Sequence, residues 1–403
     1  MRFRYIAIVF LFCAFLTMSS VHVTTAEPSE LMFENTVSGP YLDKVRYQVI
    51  SSEDQRILAL QSDAIDIIDG PISFAYHSIL ELDPEIELSS ILRNGYGHIT
   101  INCAKNPLNY SVLRRAFAFA FDKTLVPNLV DGVDQMHDSI VPYVSSYCYE
   151  DEFDWHYYDN QSTLANQMLN EAGFAIDGGT GFRLTPFGDA FDIVIAYSPS
   201  FPPGGGIAQL AVDTLASLHI DASSNSDDFN TIIANVQNHG DYDMVFYGSN
   251  FYSDDVDWLA NEYYSAYASV PYMNPTNFQN STFDSYRNQL LYSSTYSEVY
   301  NAAREMQKIL HHNVPELVVY EETQYSAYRT NRFEGHVIDK FKNVENEWTN
   351  LKVHQNLMDG GPFNGTFRIS LGQEPDSFNP MITNSYYSKV ILANMYDSLF
   401  RIG

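Results

Sequence analysis

Residues 113–123 read LRRAFAFAFDK, and this stretch decides the fold class because it predicts a helix that packs against a sheet. Apolar side chains recur in it at i, i+3, i+4, i+7 and i+8 and form one stripe, namely Leu113, Ala116, Phe117, Ala120 and Phe121. The alanines allow a helix and a sheet to approach closely, and the phenylalanines fill the space between them. The stripe therefore indicates a buried core position.

Strands and helices alternate on both sides of this helix. They are predicted as a strand at 98–102, a helix at 163–172, a strand at 191–197, a helix ending at 218, a strand at 219–222, a helix at 228–236 and a strand at 243–247. Strand–helix–strand units at this spacing predict a parallel α/β layer whose strands are buried on both faces. Further strands are predicted at 44–50, 64–68, 316–320, 325–329 and 366–371, a long helix at 297–311 and another helix at 387–400.

Composition excludes several kinds of partner. The 403 residues include 50 acidic and 22 basic ones, which gives a net charge of −28. Such a charge repels the phosphate backbone of nucleic acids and anionic lipid headgroups. The hydrophobic fraction of 45% is ordinary for a folded chain, so we exclude wholesale disorder. We expect a globular protein that does not bind nucleic acid.

The first residues have the layout of a secretory signal peptide. Basic residues at 2 and 4 precede an apolar run at 5–18, and small residues at 24–26 offer a cleavage site. The run is too short to span the roughly 30 Å hydrocarbon core of a bilayer. We therefore expect export of the chain to the periplasm, the cell surface or the medium. In such a compartment Cys103 and Cys148 could pair, and two buried thiols are an equally good interpretation.

Several spaced strings carry a family resemblance. They read PYLDKV at 40–45, LALQSDAIDI at 58–67, LRRAFAFAFDK at 113–123, MLNEAGF at 168–174 and DYDM at 241–244. Together they resemble the family 5 extracellular solute-binding proteins, the peptide- and nickel-binding components of ABC importers. The resemblance implies a periplasmic-binding-protein-like type II fold, in which two α/β lobes are joined by hinge strands, here expected near 96–102 and 316–325. It implies no cofactor and no enzymatic activity.

The order of the segments differs from that of the family. FRISLGQEPDSFNP at 367–380 resembles the beginning of a mature family member, although it lies near the end of this chain. Either the sequence is cut from a longer tandem protein, which we favour, or the tail supplies the missing first strand, as in a circular permutant. One lobe is expected to be incomplete. The expected organisation is a signal peptide (1–26), a partial first lobe (27–98), a second lobe (99–315), a return to the first lobe (316–350), a linker (351–365) and the start of a second copy (366–403).

The stretch 247–258 is the candidate ligand site. It matches the segment with which the family binds peptides, mainly through strand-like main-chain hydrogen bonds and an acidic side chain for the α-amino group. The resemblance gives the candidate residues Tyr247, Asn250, Tyr252, Asp254, Asp255, Asp257 and Trp258. The Trp usual in the family is replaced by Ser249, and the amine-binding Asp falls on or near Tyr252. Asp254 could take its place after a small shift of the loop.

The expected function is that of an exported substrate-binding protein, which captures oligopeptides or similar polar solutes for the membrane permease of an ABC importer. The alternatives are a truncated remnant without transport activity, a surface adhesion protein or an oligosaccharide-binding protein. The sequence lacks the motifs that would indicate a metal-binding helix or a serine hydrolase. Adjacent His311 and His312 point about 100° apart on a helix, and HExxH and G-x-S-x-G are absent from the sequence. We therefore predict no metal site and no catalytic residues.

Overall fold

The computed structural model describes residues 39–396 except 134, 202, 252, 382 and 384. The predicted signal peptide at 1–26 and residues 397–403 lie outside the described residues. Within the described part, two five-stranded sheets each carry helices, and the chain passes between them twice. Among the described residues, no helix is long and apolar enough to cross a membrane.

The strands and helices are numbered in chain order. The strands are β1 (Lys44–Val49), β2 (Ile67–Ile68), β3 (Ile86–Leu92), β4 (Gly95–Ile101), β5 (Asp192–Tyr197), β6 (Asp221–Ser226), β7 (Met244–Asn250), β8 (Glu316–Tyr320), β9 (Thr323–Arg329), β10 (Phe333–Glu334), β11 (His354–Gln355) and β12 (Thr366–Leu371). The helices are α1 (Glu53–Gln61), α2 (His77–Leu80), α3 (Ser111–Ala120), α4 (Ser162–Glu171), α5 (Gly204–Ser217), α6 (Phe229–Gln237), α7 (Leu259–Glu262), α8 (Ser281–Tyr292), α9 (Tyr296–Asn313), α10 (Glu347–Lys352) and α11 (Tyr386–Leu392).

The second lobe is built on the sheet of order β6-β5-β7-β4-β8. Strands β5, β6 and β7 are parallel, and β4 is antiparallel to both β7 and β8. Helix α3 buries the whole predicted stripe of residues 113–121 against this sheet, where Phe117 meets Ile99 and Ile195 in one core. The prediction of a helix packed against a sheet, drawn from residues 113–123, is therefore confirmed.

The first lobe is built on the sheet of order β1-β12-β2-β9-β3. Strands β1, β12 and β2 are parallel, and β9 is antiparallel to β2 and β3. The segment expected to begin a second copy, residues 366–403, thus supplies the strand between β1 and β2. Arg368 anchors it, because its guanidinium bonds Asp66 and Asp63 at 2.8 and 3.0 Å, and Phe367 is fully buried.

Several predicted elements differ from the structure at their ends, among them the strands predicted at 64–68 and 98–102, which span Ile67–Ile68 and Gly95–Ile101. The strand expected at 219–222 lies at 221–226, because His219 adopts a left-handed φ of 60° after α5 and delays the start of β6. The helix expected at 387–400 begins at Tyr386 and its described turns end at Leu392. Residues 397–400 of that prediction lie outside the described residues.

Two short connections join the lobes. One runs from the end of β3 through Arg93 and Asn94 into β4, and the other runs from the end of β8 through Glu321 and Glu322 into β9. The second sheet therefore extends from residue 95 to residue 320, a few residues beyond the expected limits of 99 and 315. The connection at 321–322 lies within the expected hinge region 316–325, and the connection at 93–94 lies directly before the expected region 96–102.

Candidate functional site

In both lobes, the carboxyl ends of the parallel strands face the hinge. In the first sheet, β2 is antiparallel to β9, and the pairs Ile67–Tyr328 and Ile72–Tyr325 lead toward the start of β9 at the crossover. In the second sheet, Asn250 at the end of β7 pairs with the first residue of β4. Ligands of open α/β sheets bind outside the carboxyl ends of the strands. The space between the two lobes is therefore the candidate site.

Arg93 holds the two hinge connections and the end of β7 together. Its Nη1 lies 2.7 Å from Glu322 Oε1, and its Nε donates to Asn250 Oδ1 at 2.7 Å. A third bond runs from Nη2 to the carbonyl oxygen of Ser249 at 3.2 Å. Asn250, a predicted ligand residue, is thus engaged with the hinge arginine. Asn250 therefore ties the end of β7 to the hinge.

Asp254 lies where the second lobe approaches the first. Its two carboxylate oxygens accept bonds from the backbone nitrogen and the hydroxyl of Ser146, both at 2.8 Å. Burial alone would raise the pKa of Asp254, but these bonds lower it overall. Across the cleft, Lys340 Nζ of the first lobe lies 3.7 Å from Asp254 Oδ2. Asp254 is therefore a carboxylate held in its charged form at the mouth of the cleft.

The other predicted residues occupy different environments. Tyr247 is half-buried within β7, where its hydroxyl accepts a bond from Thr100 Oγ1 at 3.1 Å. Trp258 stacks on Phe251 with ring centroids 4.4 Å apart. The remaining two described candidates, Asp255 and Asp257, are exposed in the turn before α7. Tyr252 lies outside the described residues. The structure thus groups Asn250 and Asp254 near the hinge, whereas Tyr247 and Trp258 pack against the body of the lobe.

An acidic group on the first lobe was not predicted from the sequence. Asp69 follows β2 at the cleft edge, is buried, and accepts a bond from the hydroxyl of Tyr386 at 3.2 Å. Burial raises the pKa of Asp69 to about 6, against the opposing effect of the Tyr386 bond. The pKa of Glu345 is raised mainly by burial and further by the negative charge of Asp69. Asp69, Glu345 and Tyr386 are far apart in the sequence and come together only in the folded protein. Their spacing in the sequence therefore could not predict this group.

Asp243, directly before β7, is a buried carboxylate. It accepts a bond from the backbone nitrogen of Val194 at 2.9 Å and lies 2.6 Å from Lys105 Nζ. Lys105 also bonds the exposed Asp241. These side chains line a cavity of about 590 Å³ between α6 and the second sheet. The cavity runs along the face of the sheet and is separate from the cleft at the hinge.

The two cysteines are not joined to each other. Cys103 and Cys148 are both free thiols packed against the core around α8 and α9. Burial raises the pKa of Cys103 to about 11 and that of Cys148 to about 12. Of the two expectations for these residues, the structure shows unpaired thiols, and each residue is half-buried.

Two α/β lobes, two hinge connections and facing strand ends define the type II periplasmic-binding-protein fold. The model of the family "Bacterial extracellular solute-binding proteins, family 5 Middle" matches residues 35–270. The chain belongs to this family.

Similar proteins include a curated relative and several solved structures. The di/tripeptide-binding protein 2 of Pseudomonas aeruginosa (strain UCBPP-PA14) is 25% identical over 257 residues, which cover 62% of this chain and 45% of that protein. The oligopeptide-binding protein AppA of Bacillus subtilis, in complex with a nonapeptide, superposes with a TM-score of 0.63 at 17% identity, covering 76% of this chain and 60% of that one. The binding protein DppA of Helicobacter pylori, in complex with the peptide STSA, gives a TM-score of 0.59 at 17% identity, covering 76% and 56%. This chain thus spans about half the length of these proteins.

Proposed function

We propose that this protein captures peptides or similar small polar solutes between its two lobes and presents them to the permease of an ABC importer. The observation that supports this most strongly is that both sheets present the carboxyl ends of their parallel strands across a hinge of two connections. Hinged lobes of this kind close when a ligand contacts both of them. Relatives named as peptide-binding proteins agree with this proposal.

The charge of the second lobe favours a ligand with a free amine. Asp254 is held as a carboxylate by Ser146, and it faces the lysine of the opposite lobe across the cleft. A ligand amine that binds Asp254 would replace this weak contact with a direct charge-assisted hydrogen bond. Asp255 and Asp257 are proposed to contact the remainder of the ligand from the turn before α7, and Tyr252 remains a proposed ligand residue from the sequence. Asn250 would then transmit ligand contact to the hinge through Arg93.

Thermal-shift and calorimetric titrations with di-, tri- and oligopeptides test the proposal on the chain from residue 27 onward. A ligand at a hundredfold excess over its dissociation constant stabilises the protein by about 2.7 kcal/mol. Asp254→Asn should weaken the binding of peptides with a free amino terminus about 10-fold or more and leave N-acetylated peptides little affected. Asp213→Asn is the control, because Asp213 is an exposed residue of α5 far along the chain from the hinge. No response to any of these peptides would favour the remnant without transport activity.

Export and import are tested separately. We propose that residues 1–26 are removed, so that the intact mass of the exported protein corresponds to a chain beginning at Glu27. An uncleaved mass would contradict this proposal. The import role predicts that the ligand-loaded protein raises ATP hydrolysis by its permease in proteoliposomes and that the Asp254→Asn variant does so only at higher ligand concentration.

A further inference from the structure

A cluster of buried ligating side chains lies inside the second lobe, away from the proposed peptide contacts. Asp138, Glu150 and His156 come from the segment between α3 and α4, and one ligand atom from each lies within 4.8 Å of the others. Asp138 and Glu150 are buried, whereas the His156 side chain is 28% exposed. The cluster thus has a closed interior and one side open to solvent.

The distances within the cluster match those between ligands of a single ion. Two atoms bound to one zinc ion at about 2.1 Å, with an angle of about 90° to 110° at the metal, lie about 3.0 to 3.4 Å apart. His156 Nδ1 lies 3.1 Å from Asp138 Oδ2 and 3.4 Å from Glu150 Oε1. Small movements of these side chains would bring all three atoms onto one ion.

A fourth side chain points into the cluster from a different element. His311 of α9 is buried, and its Nε2 has no hydrogen-bond partner among the described residues. This nitrogen lies 3.7 Å from Asp138 Oδ2, too far for a hydrogen bond. The ring is fixed by stacking on Phe153, with centroids 4.0 Å apart and planes 8° from parallel. A buried imidazole nitrogen without a partner is the kind of group that a metal ion satisfies.

Neighbouring groups hold both oxygens of each carboxylate, and one oxygen of each also faces a histidine of the cluster. Lys123 Nζ bonds Asp138 Oδ1 at 2.5 Å, and Asp138 Oδ2, which accepts from the backbone nitrogen of Tyr157 at 2.8 Å, faces the histidines. Glu150 Oε2 accepts bonds from the backbone nitrogens of Asp138 and Ser139 at 2.9 and 2.6 Å. Glu150 Oε1 lies beside His156 and accepts bonds from the Asp138 backbone nitrogen at 3.0 Å and from the hydroxyl of Tyr158. Such outer contacts hold the ligands of metal sites in position.

We propose that Asp138, Glu150, His156 and His311 form a binding site for a divalent transition-metal ion of the zinc class. Two imidazoles and two carboxylates suit zinc, nickel and cobalt better than calcium or magnesium, which prefer oxygen ligands alone. The ion enters past the exposed side of His156. It joins the segment between α3 and α4 to α9, and therefore braces the second lobe from within, independently of peptide binding.

Metal titration of the full chain tests this proposal. The chain is treated with a chelator, freed of it, and titrated with ZnCl₂ in a calorimeter, and in parallel with CoCl₂ while the visible absorption is recorded. We expect one bound ion per chain, a rise in the melting temperature, and cobalt bands typical of nitrogen and oxygen ligands. MgCl₂ should give none of these effects.

Single variants locate the ion. His156→Gln and His311→Gln should each weaken zinc binding about 10-fold or more and change the cobalt spectrum. His354→Gln is the matched control, because His354 is also 28% exposed and lies 3.5 Å from a glutamate, but in the first lobe. Circular dichroism and the melting temperature of the metal-free variants show that they fold. The proposal is overturned if the wild type binds no ion, or if folded His156→Gln and His311→Gln variants bind zinc as the wild type does.

Discussion

His98 and Glu316 lie side by side in the neighbouring strands β4 and β8, with Nδ1 of the histidine 3.2 Å from Oε1 of the glutamate. Both side chains are almost completely buried. Burial lowers the pKa of His98 to about 3 and raises the pKa of Glu316 to about 8. At neutral pH both groups are therefore uncharged.

This pair predicts a pH dependence of stability. A carboxyl group whose pKa is raised by folding from 4.5 to about 8 contributes stability that is complete below pH 4.5 and is lost as the pH rises toward 8. The loss from this group is at most about 1.4 kcal/mol per pH unit. Glu316→Gln keeps a neutral donor at the same place, so its free energy of unfolding relative to the wild type should rise between pH 5 and pH 8.

Urea unfolding at several pH values measures this difference. Glu171→Gln, an exposed change at the end of α4, should leave the difference from the wild type constant over the same range. If the Glu316→Gln difference is also constant with pH, Glu316 does not hold its proton in the folded state.

Arg93 and Glu322 should stabilise the hinge as a coupled pair. Their side chains are 11% and 17% exposed, so they are shielded from water more than surface ion pairs are. We expect Arg93→Met and Glu322→Gln each to cost about 1 to 3 kcal/mol, and the double variant to cost clearly less than the sum. The measurement is a double-mutant cycle by urea unfolding.

Lys342 and Glu347 provide the control for this cycle. Their side chains are 39% and 25% exposed, with Nζ and Oε2 2.9 Å apart. An exposed pair of this kind contributes about 0 to 1 kcal/mol. Equal coupling energies for the two pairs would show that the hinge pair has no special role.

Strand β12 should be essential for the first lobe. Phe367→Ala removes a ring that is fully buried between the sheet and the core of that lobe, so we expect a loss of about 3 to 5 kcal/mol. Phe378→Ala, at a position 55% exposed, should cost less than about 0.5 kcal/mol.

Truncation of the chain gives a second test of β12. A chain ending at residue 365 leaves the facing edges of β1 and β2 without a partner, so we expect its first lobe to be disordered or aggregated. An added peptide of residues 366–396 should restore the native circular dichroism. A truncated chain that folds fully without the peptide would contradict this expectation.

The contrast between α3 and β12 shows what the sequence could predict. The stripe of α3 is local, so the spacing of residues 113–121 was sufficient to predict the helix and its buried face. The strand at 366–371 was also predicted, but its partners β1 and β2 lie about 300 residues earlier. The alternation of hydrophobic residues does not specify which strand pairs with which. The position of β12 between β1 and β2 is therefore known only from the structure.

The same limit applies to the candidate sites. The family resemblance directed attention to Asp254, which the structure places at the cleft. His156 and His311 are separated by 155 positions in the sequence, and each looks unremarkable beside its own neighbours. Only the packing of α9 against the segment before α4 brings them together. Pairs that meet through tertiary contacts alone leave no spacing pattern to recognise.

The thiols of Cys103 and Cys148 should react slowly in the folded protein. The thiolate is the reactive form, and burial raises the pKa of Cys103 to about 11 and that of Cys148 to about 12. At pH 8 the folded thiols should therefore react with a disulfide reagent at least about 100-fold more slowly than the same thiols in urea. In urea the chain from residue 27 onward should show both thiols. Cys103→Ser and Cys148→Ser should each show one thiol, which assigns the two rates. If the unreduced chain shows no thiol in urea, the two cysteines are joined by a disulfide.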